Sequence, residues 1–311
     1  GASVGYLGEA ANSVGAQLVG AMPGPGGLSA GQMLGAEGEA TLKACLLLNI
    51  EPTLDAANAV AAVAACNAAE MVVALTSFRS AGHDIADVML PIAPFTETSG
   101  TYVSAEGRVQ GAHGVVKPLG DTRPAWKVLR VLGNLLGLEG FDFQSSEDVR
   151  AEALGDLASI PARLDNRSAT GVAERSRADA AARGAGGFER IADIPIYATD
   201  GVVRRASSLQ LTADARPPVV GVPRAVSVRL GLAPGDSVRV SQGGAPVVLA
   251  ASIDATLADN VLRVPAGHPD TAALGPMFGS ITVEKVGAGA EPAAAARGTF
   301  TTSAPLGSGP V

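Results

Sequence analysis

The residues best suited to chemistry are two cysteines, Cys45 and Cys66, and three histidines, His83, His113 and His268. Each cysteine lies in an Ala- and Leu-rich stretch, which is typical of small buried side chains. Two thiols cannot supply the usual four ligands of an iron–sulfur cluster or an all-thiolate zinc site. The histidines show neither i, i+4 pairing nor a neighbouring cysteine. We therefore predict no catalytic residue and no metal ligand among them.

The glycine-rich segment Met22–Gly31, MPGPGGLSAG, has the composition of a phosphate-binding loop. Its two prolines lack backbone N–H donors, and no lysine follows in the required register. An ordinary loop is therefore favoured. Nothing in the sequence marks the strained nucleophile turn of a Ser/His/Asp hydrolase.

The densest polar segment is Ala86–Gln110, which contains Asp87, Glu97, Glu106 and Arg108. It lies at the end of a predicted parallel strand, where open α/β sheets bind ligands. One interpretation is ligand binding. The other, which we favour, is structural: Glu97 and Glu106 accept backbone N–H bonds and pair with Arg108 to hold an irregular loop.

The elements that must position this segment follow a strand, helix, strand order, which predicts a parallel, Rossmann-like sheet. A hairpin or an extended excursion follows the third strand, and an amphipathic helix comes after it. The predicted strands are Lys43–Leu48, Met71–Leu75 and Val88–Leu90. The predicted helices are Ser80–Asp87 and Ala56–Ala69, the second of which is capped by Asp55 or Asn58. The hairpin would join Gly100–Val103 to Arg108–Val109. The later helix is Pro124–Leu138, with a buried stripe of Trp126, Leu129, Val131, Leu132 and Leu135.

Short β-branched runs separated by turn residues dominate the sequence after Ile194, which predicts a small β-barrel or sandwich. The turn at Gln242–Gly244 places a hairpin over Ser237–Ala251. The six predicted strands are Val219–Val222, Val226–Leu230, Ser237–Val240, Val247–Ile253, Val261–Val264 and Ser280–Val286. The fold class expected is therefore α/β, with a Rossmann-like parallel sheet followed by a mostly-β domain.

Four regions follow from these patterns. We predict an α/β domain over residues 1–140 and a connector with short helices over 141–193. A β domain is predicted over 194–286 and a flexible tail over 287–311. Because the chain begins with Gly1 rather than Met, we expect a fragment of a longer protein.

The net charge of −7 and pI near 5.0 exclude the clustered basic surface that binds nucleic acid. The 47% hydrophobic content leaves enough apolar side chains for two cores and excludes a wholly disordered chain. No apolar run reaches the ~18 residues of a membrane span. Partners are therefore expected to be proteins or small molecules.

Three segments carry a family resemblance: ADVMLP, then FTETSGTYVSAEGRVQ, then RPAWKVLRVLGNLLGL. They resemble the molybdopterin oxidoreductase superfamily. More closely, they resemble the large iron–sulfur subunits of the bacterial proton-pumping NADH:quinone oxidoreductase, or complex I. In the second half, LGLAPGDSVRVSQGG and DATLADNVLRVPAGHP are similar to the molybdopterin-dinucleotide-binding barrel of the same superfamily. The similar regions span about residues 1 to 285.

The resemblance implies a double-psi type barrel and a non-catalytic C-terminal scaffold. Iron–sulfur clusters are implied for the full-length subunit, but the cysteine sets that hold them in the family are missing here. The resemblance also implies peripheral-arm partner subunits on the cytoplasmic side of the bacterial inner membrane. We carry over no catalytic, cofactor-binding or metal residue. The alternative is half of the cofactor cleft of a true molybdopterin-dependent oxidoreductase. The Ala86–Gln110 loop and the turn Ala266–Pro269 would then face a pterin dinucleotide, with Arg108 near its phosphates.

Overall fold

The computed structural model describes residues 8, 10–35, 42–81, 84–164 and 187–287. The strands are β1 (Ala44–Leu48), β2 (Met71–Thr76), β3 (Val88–Pro91), β4 (Gly100–Val103), β5 (Val109–Ala112), β6 (Phe188–Ile191), β7 (Val219–Val222), β8 (Ser237–Ser241), β9 (Val247–Ile253), β10 (Val261–Arg263) and β11 (Gly279–Lys285). The helices are α1 (Ser13–Leu18), α2 (Ala30–Met33), α3 (Pro52–Asp55), α4 (Ala59–Ala68), α5 (Ala125–Leu135), α6 (Ser146–Leu154), α7 (Ile160–Arg163), α8 (Gly201–Arg204), α9 (Ser207–Gln210), α10 (Arg224–Leu230) and α11 (Pro269–Ala272).

The three-stranded sheet β1–β2–β3 is parallel, as predicted. Residues of β1 alternate between exposed and buried, and Cys45 and Leu47 point into a core with α4. Helix α4 begins after Asn58, whose Oδ1 accepts the N–H of Ala61 at 3.1 Å. This capping bond ties the crossover helix to the end of the preceding loop.

Two helix predictions in this region are corrected. Among the described residues of Ser80–Asp87, the only helical structure is a 3₁₀ turn over Arg79–Ala81, so the chain reaches β3 without the predicted helix. In α5, the predicted buried stripe is only partly inside: Trp126, Leu129 and Leu132 are half-buried, whereas Val131 and Leu135 are exposed. Helical periodicity predicts which side chains share a face, but not how far a neighbouring element covers that face.

The predicted hairpin is present as β4 and β5, paired from Gly100↔Ala112 to Val103↔Val109. Helix α1 lies against β4. The side chain of Asn12 joins them, since its Nδ2 donates to the carbonyl of Thr101 at 3.1 Å and its Oδ1 accepts the N–H of Val103 at 2.8 Å. The amide thus continues the hydrogen bonding of the hairpin edge.

The second half forms a closed six-stranded barrel in the order β10–β6–β11–β8–β9–β7. Its interior is filled by alternating apolar side chains, because successive residues of a strand face opposite sides. The hairpin of β8 and β9 is antiparallel, as predicted. The buried residues at its centre include Val220, Val238, Leu249, Leu262 and Ile281.

Two features of the barrel differ from the prediction. Residues Val226–Leu230 belong to α10 rather than to a strand; Pro223 caps the helix and Gly231 ends it with φ +59°. Proline at the start and left-handed glycine at the end outweigh the β-branched composition. Strand β6 was not predicted, and it lies in the span expected to be a connector. Its sequence, FERI, has two charged residues among four and lacks the apolar β-branched run that marks the predicted barrel strands.

The barrel contacts the α/β half near the start of α4. Asn58 forms an isolated bridge with Pro276, and the N–H of Met277 donates to the carbonyl of Ala57 at 2.8 Å. Helix α11 also lies against α3.

Across the described part of the chain, the helices are all too short or too polar to cross a membrane. The predicted tail falls outside the described residues, apart from Gly287.

Candidate functional site

The carboxyl edge of the parallel sheet is the natural place for a site in this fold. Strand β1 ends at Leu48, and Asn49 follows with φ +53° and donates its N–H to the carbonyl of Leu75 at 2.8 Å. This sharp turn leads the chain across the edge, and Glu51 comes directly before α3. Its side chain is buried, with the residue 8% exposed.

Glu51 is held by two consecutive arginines from the other half of the chain. Its Oε1 and Oε2 accept from Nη1 and Nη2 of Arg205 at 2.7 and 2.9 Å, a bidentate pair. Oε1 also accepts from Nη1 of Arg204 at 3.2 Å. Bidentate contacts with a carboxylate are among the strongest hydrogen bonds in proteins. Both carboxylate oxygens are therefore engaged.

Asp55 and the surroundings of the arginines complete the network. Asp55 accepts the N–H of Glu51 at 2.6 Å and a very short bond from Nη2 of Arg204. Arg205 also donates to Oγ of Ser80 at 3.0 Å, and its guanidinium lies 4.5 Å from the ring centre of Phe78. We call Glu51, Asp55, Arg204 and Arg205 the Glu51 cluster.

The pKa of Glu51 lies below its ordinary value. Burial alone would raise this pKa, but the hydrogen bonds and positive charges of Arg205 and Arg204 outweigh it. The carboxylate is thus negatively charged at neutral pH. The cluster pairs two carboxylates with two guanidinium groups, and its net charge is zero.

The sequence indicated Asp55 only as a possible helix cap and did not indicate the other three members of the Glu51 cluster. The available signals were the four-residue spacing of Glu51 and Asp55 around Pro52, and the adjacent arginines in VVRRA. Neither signal indicates a partner, because the paired residues lie 149 to 154 positions apart. Only the approach of α8 to the sheet edge brings them together.

The pterin dinucleotide of the resembling family carries phosphate groups that require free donors. At this edge, the guanidinium groups of Arg204 and Arg205 already donate to carboxylates, and Glu51 presents a buried negative charge. A phosphate here would face electrostatic repulsion and would have to displace Glu51 from both arginines. The residues of the Glu51 cluster therefore do not fit the phosphate groups of a pterin dinucleotide.

The residues predicted in Ala86–Gln110 do not converge on one place. Asp87 precedes β3, and its Oδ2 accepts the N–H of Val72 at 2.7 Å. It therefore lies at the amino edge of the sheet, opposite the edge where ligands bind in this fold, which corrects its predicted position. Glu97 accepts the N–H of Leu119 at 3.0 Å. These are contacts of the structural kind that we favoured.

Glu106 and Arg108 form an ion pair of 3.8 Å at the tip of the β4–β5 hairpin, where the two side chains are 80% and 72% exposed. At the same tip, a Cβ on Gly107 would collide with Leu164, just after α7. The turn Ala266–Pro269 lies elsewhere: Gly267, with φ +68°, approaches Ile194 and the carbonyl of Leu54. Arg108 and this turn thus contact different elements.

His268 caps α11 with its ring. Its Nδ1 accepts the N–H of Asp270 at 3.1 Å. Burial lowers the pKa of His268, and the nearby charge of Asp270 offsets this only in part. The folded protein therefore favours the neutral ring that the capping bond requires. His113 is exposed after β5, and His83 falls outside the described residues.

Replacing His268 with Asn should flatten the pH dependence of stability near neutral pH. A base whose pKa is lowered on folding binds fewer protons in the folded state, so the free energy of unfolding decreases as the pH falls below the ordinary value of 6.5. Asn keeps an oxygen acceptor at the cap without titrating. Urea unfolding between about pH 7 and pH 5 should show a loss of stability in the parent protein and a smaller loss in the variant. Equal slopes for both proteins would contradict this assignment.

Cys45 and Cys66 are both buried in the core between β1 and α4, which confirms their predicted packing role. Burial raises the pKa of the Cys66 thiol, and the neighbouring Cys45 raises it further. Both residues are free thiols. Where the structure describes the chain, it places no three His, Cys, Asp or Glu side chains together as a metal site.

Comparison with known proteins places the first half of the chain in a family. Residues 2–135 match the family model described as molybdopterin oxidoreductase, so the chain contains a domain of this family. The probable oxidoreductase YjgC of Bacillus subtilis (strain 168) is 36% identical over 76 residues, which is 24% of this chain and 8% of the relative. The 78 kDa subunit of the mitochondrial NADH-ubiquinone oxidoreductase of Candida albicans is 40% identical over 77 residues, 25% of this chain and 10% of the relative.

A putative formate dehydrogenase of Staphylococcus aureus (strain USA300) is 41% identical over 54 residues, 17% of this chain and 6% of the relative. The chain thus spans a tenth or less of the curated relatives in these matches. Acetylene hydratase from Pelobacter acetylenicus has a similar fold, with a TM-score of 0.54 and 16% identity. That comparison covers 81% of this chain and 45% of the other.

Proposed function

We propose that this chain is the C-terminal region of the large iron–sulfur subunit of a proton-pumping NADH:quinone oxidoreductase. In this role it is a non-catalytic scaffold of the peripheral arm, on the cytoplasmic side of the bacterial inner membrane. Its partners are the other peripheral-arm subunits. The iron–sulfur clusters belong to other parts of the full-length subunit.

The Glu51 cluster carries this proposal. An enzyme of the molybdopterin class needs a free carboxyl edge and phosphate-binding donors. In this chain the same edge holds a closed set of ion pairs whose donors and acceptors satisfy one another. Such a network joins the α/β half to the segment before the barrel. A rigid folded mass of this kind excludes water from neighbouring redox centres and holds their spacing.

The likeness to the Candida albicans 78 kDa subunit supports the same proposal. So do the sequence segments that resemble the large iron–sulfur subunits. The double-psi type of barrel also belongs to the proposal, since the resemblance implies it.

The test is an affinity capture from the organism that encodes the chain, with the tag on the full-length protein. We expect peripheral-arm subunits to be recovered together with NADH:ferricyanide reductase activity. Capture without any of these subunits would overturn the proposal. The control is the same capture with the Glu106→Gln variant, which alters the surface charge at an exposed residue.

The second candidate is a molybdopterin-dependent oxidoreductase in which this chain forms part of the cofactor cleft. The matches to YjgC and to the putative formate dehydrogenase favour it. Oxidative extraction of the captured protein, followed by mass spectrometry of the released pterin and elemental analysis for molybdenum and tungsten, distinguishes the two. We expect no stoichiometric pterin, whereas one pterin per chain would favour the second candidate.

A further inference from the structure

A chamber unrelated to the Glu51 cluster lies between α1, the β4–β5 hairpin, α5 and α6. Its volume is about 420 Å³, within the ~300–1,000 Å³ typical of ligand pockets. Apolar side chains form most of its wall. They include Val19, Val103, Trp126, Val149 and Leu154.

A smaller polar cavity of about 270 Å³ adjoins the chamber. The two cavities share Gly100 and Thr101 of the hairpin and Ser146 and Arg150 of α6. Arg150 therefore stands at the boundary between an apolar space and a polar mouth. Its Nη1 lies close to β5: a Cβ atom placed on Gly111 would be 3.8 Å from this nitrogen.

Arg150 is half-buried, and its guanidinium has no hydrogen bond or ion pair with any residue that the structure describes. Arginines are almost never fully buried without a partner, and the partial exposure of Arg150 leaves its guanidinium accessible to water or to a ligand. Glu147, which lies three residues before Arg150 on α6, instead accepts a hydrogen bond of 2.9 Å from Oγ of Ser146. This bond is the main cause of the lowered pKa of Glu147, and the charge of Arg150 contributes least. The planar fork of Arg150 is thus left with unused donors at the end of an apolar chamber.

We propose that this chamber binds a small monocarboxylate with an apolar body. The guanidinium fork of Arg150 matches a carboxylate in a bidentate arrangement. The apolar wall removes the rest of the ligand from water. Glu147 at the polar mouth disfavours a second negative charge on the ligand, so a phosphate or dicarboxylate fits less well. This proposal does not rest on the proposed function.

Trp126 provides the readout, because it is the single tryptophan of the chain and lines the chamber. We would titrate the purified chain with decanoate and, as a probe of opposite charge, with decyltrimethylammonium. Decanoate should change the tryptophan fluorescence saturably, and decyltrimethylammonium should not. Absence of a saturable change, or equal binding of both probes, would overturn the proposal.

Two variants locate the binding. Arg150→Gln should weaken decanoate binding by about 10-fold or more, since a charge-assisted bidentate contact is lost. Arg108→Gln removes the same charge from the exposed hairpin tip and should leave the affinity unchanged. If Arg150→Gln binds as tightly as the parent protein, Arg150 is not the anchor and the proposal is wrong.

A further variant separates the chamber from another cavity along α5 that Trp126 also lines. Ala153→Phe fills only the chamber, because Ala153 does not line that other cavity. We expect it to abolish the decanoate response. A response that persists in this variant, with its circular dichroism spectrum unchanged, would place the binding elsewhere and overturn the proposal.

Discussion

Replacing Arg190 with Met should lower the free energy of unfolding of the barrel by about 3–5 kcal/mol. Arg190 lies in β6 with 1% of its surface exposed. It donates to the carbonyls of Val264, Pro265 and Pro276 and to Oε1 of Gln242, at 2.8 to 3.3 Å. Burial lowers its pKa to about 10, so the side chain is still charged at neutral pH. Met would fill a similar volume but would leave four acceptors without this donor.

Amide hydrogen exchange followed by mass spectrometry on peptides of β8 and β9 measures this loss in the barrel itself. Arg229→Met is the matched control, because Arg229 is exposed on α10 and its guanidinium lies 5.5 Å from the centre of the Phe188 ring. The control should change the stability by less than about 1 kcal/mol. Equal stabilities of the two variants would show that the Arg190 bonds contribute no net stability.

Replacing Glu51 with Gln should destabilise the protein by about 2–4 kcal/mol, because it leaves two arginines short of a counter-charge. The side chains of Arg204 and Arg205 are only 10% and 17% exposed, so water does not replace the carboxylate fully. Glutamine keeps the shape and one acceptor oxygen but not the charge. Urea unfolding at about pH 7 gives the measurement.

The control for this variant is Glu106→Gln, which makes the same chemical change in the exposed pair with Arg108. Exposed ion pairs contribute about 0–1 kcal/mol, so the control should be nearly neutral. A Glu51→Gln variant as stable as Glu106→Gln would show that the cluster does not hold the two halves together.

The effect of Glu51→Gln should also depend on pH. The pKa of Glu51 is lower in the folded state than its ordinary value of 4.5, so its contribution is fully present above that value. It is lost as the pH falls through the lowered pKa, because the folded protein must then bind a proton that breaks the ion pairs. The difference in stability between the parent protein and the variant should therefore shrink in acid. A difference that stays constant from about pH 7 to pH 3 would contradict the assignment.

Local patterns predicted the elements that depend on near neighbours in sequence. The three parallel strands, the hairpin of β4 and β5, and the hairpin of β8 and β9 follow from apolar runs and turn residues. The sequence left Asp55 and Asn58 as alternative caps of the crossover helix, and the structure shows that Asn58 is the cap. Where two local signals competed, as in Val226–Leu230, composition indicated a strand while the flanking proline and glycine produced a helix.

Apolar periodicity and turn chemistry were sufficient for the parallel sheet, the barrel hairpin and the burial of both cysteines, since these depend on short-range order and on removal of apolar surface from water. The Glu51 cluster joins residues 149 to 154 positions apart, and the Arg190 bonds join residues 52 to 86 positions apart. The chamber at Arg150 is likewise formed by separate elements, namely α1, the β4–β5 hairpin, α5 and α6. A charged side chain carries no mark of its partner in the local sequence. Its role follows from which distant backbone and side-chain groups the folded chain places within hydrogen-bond distance.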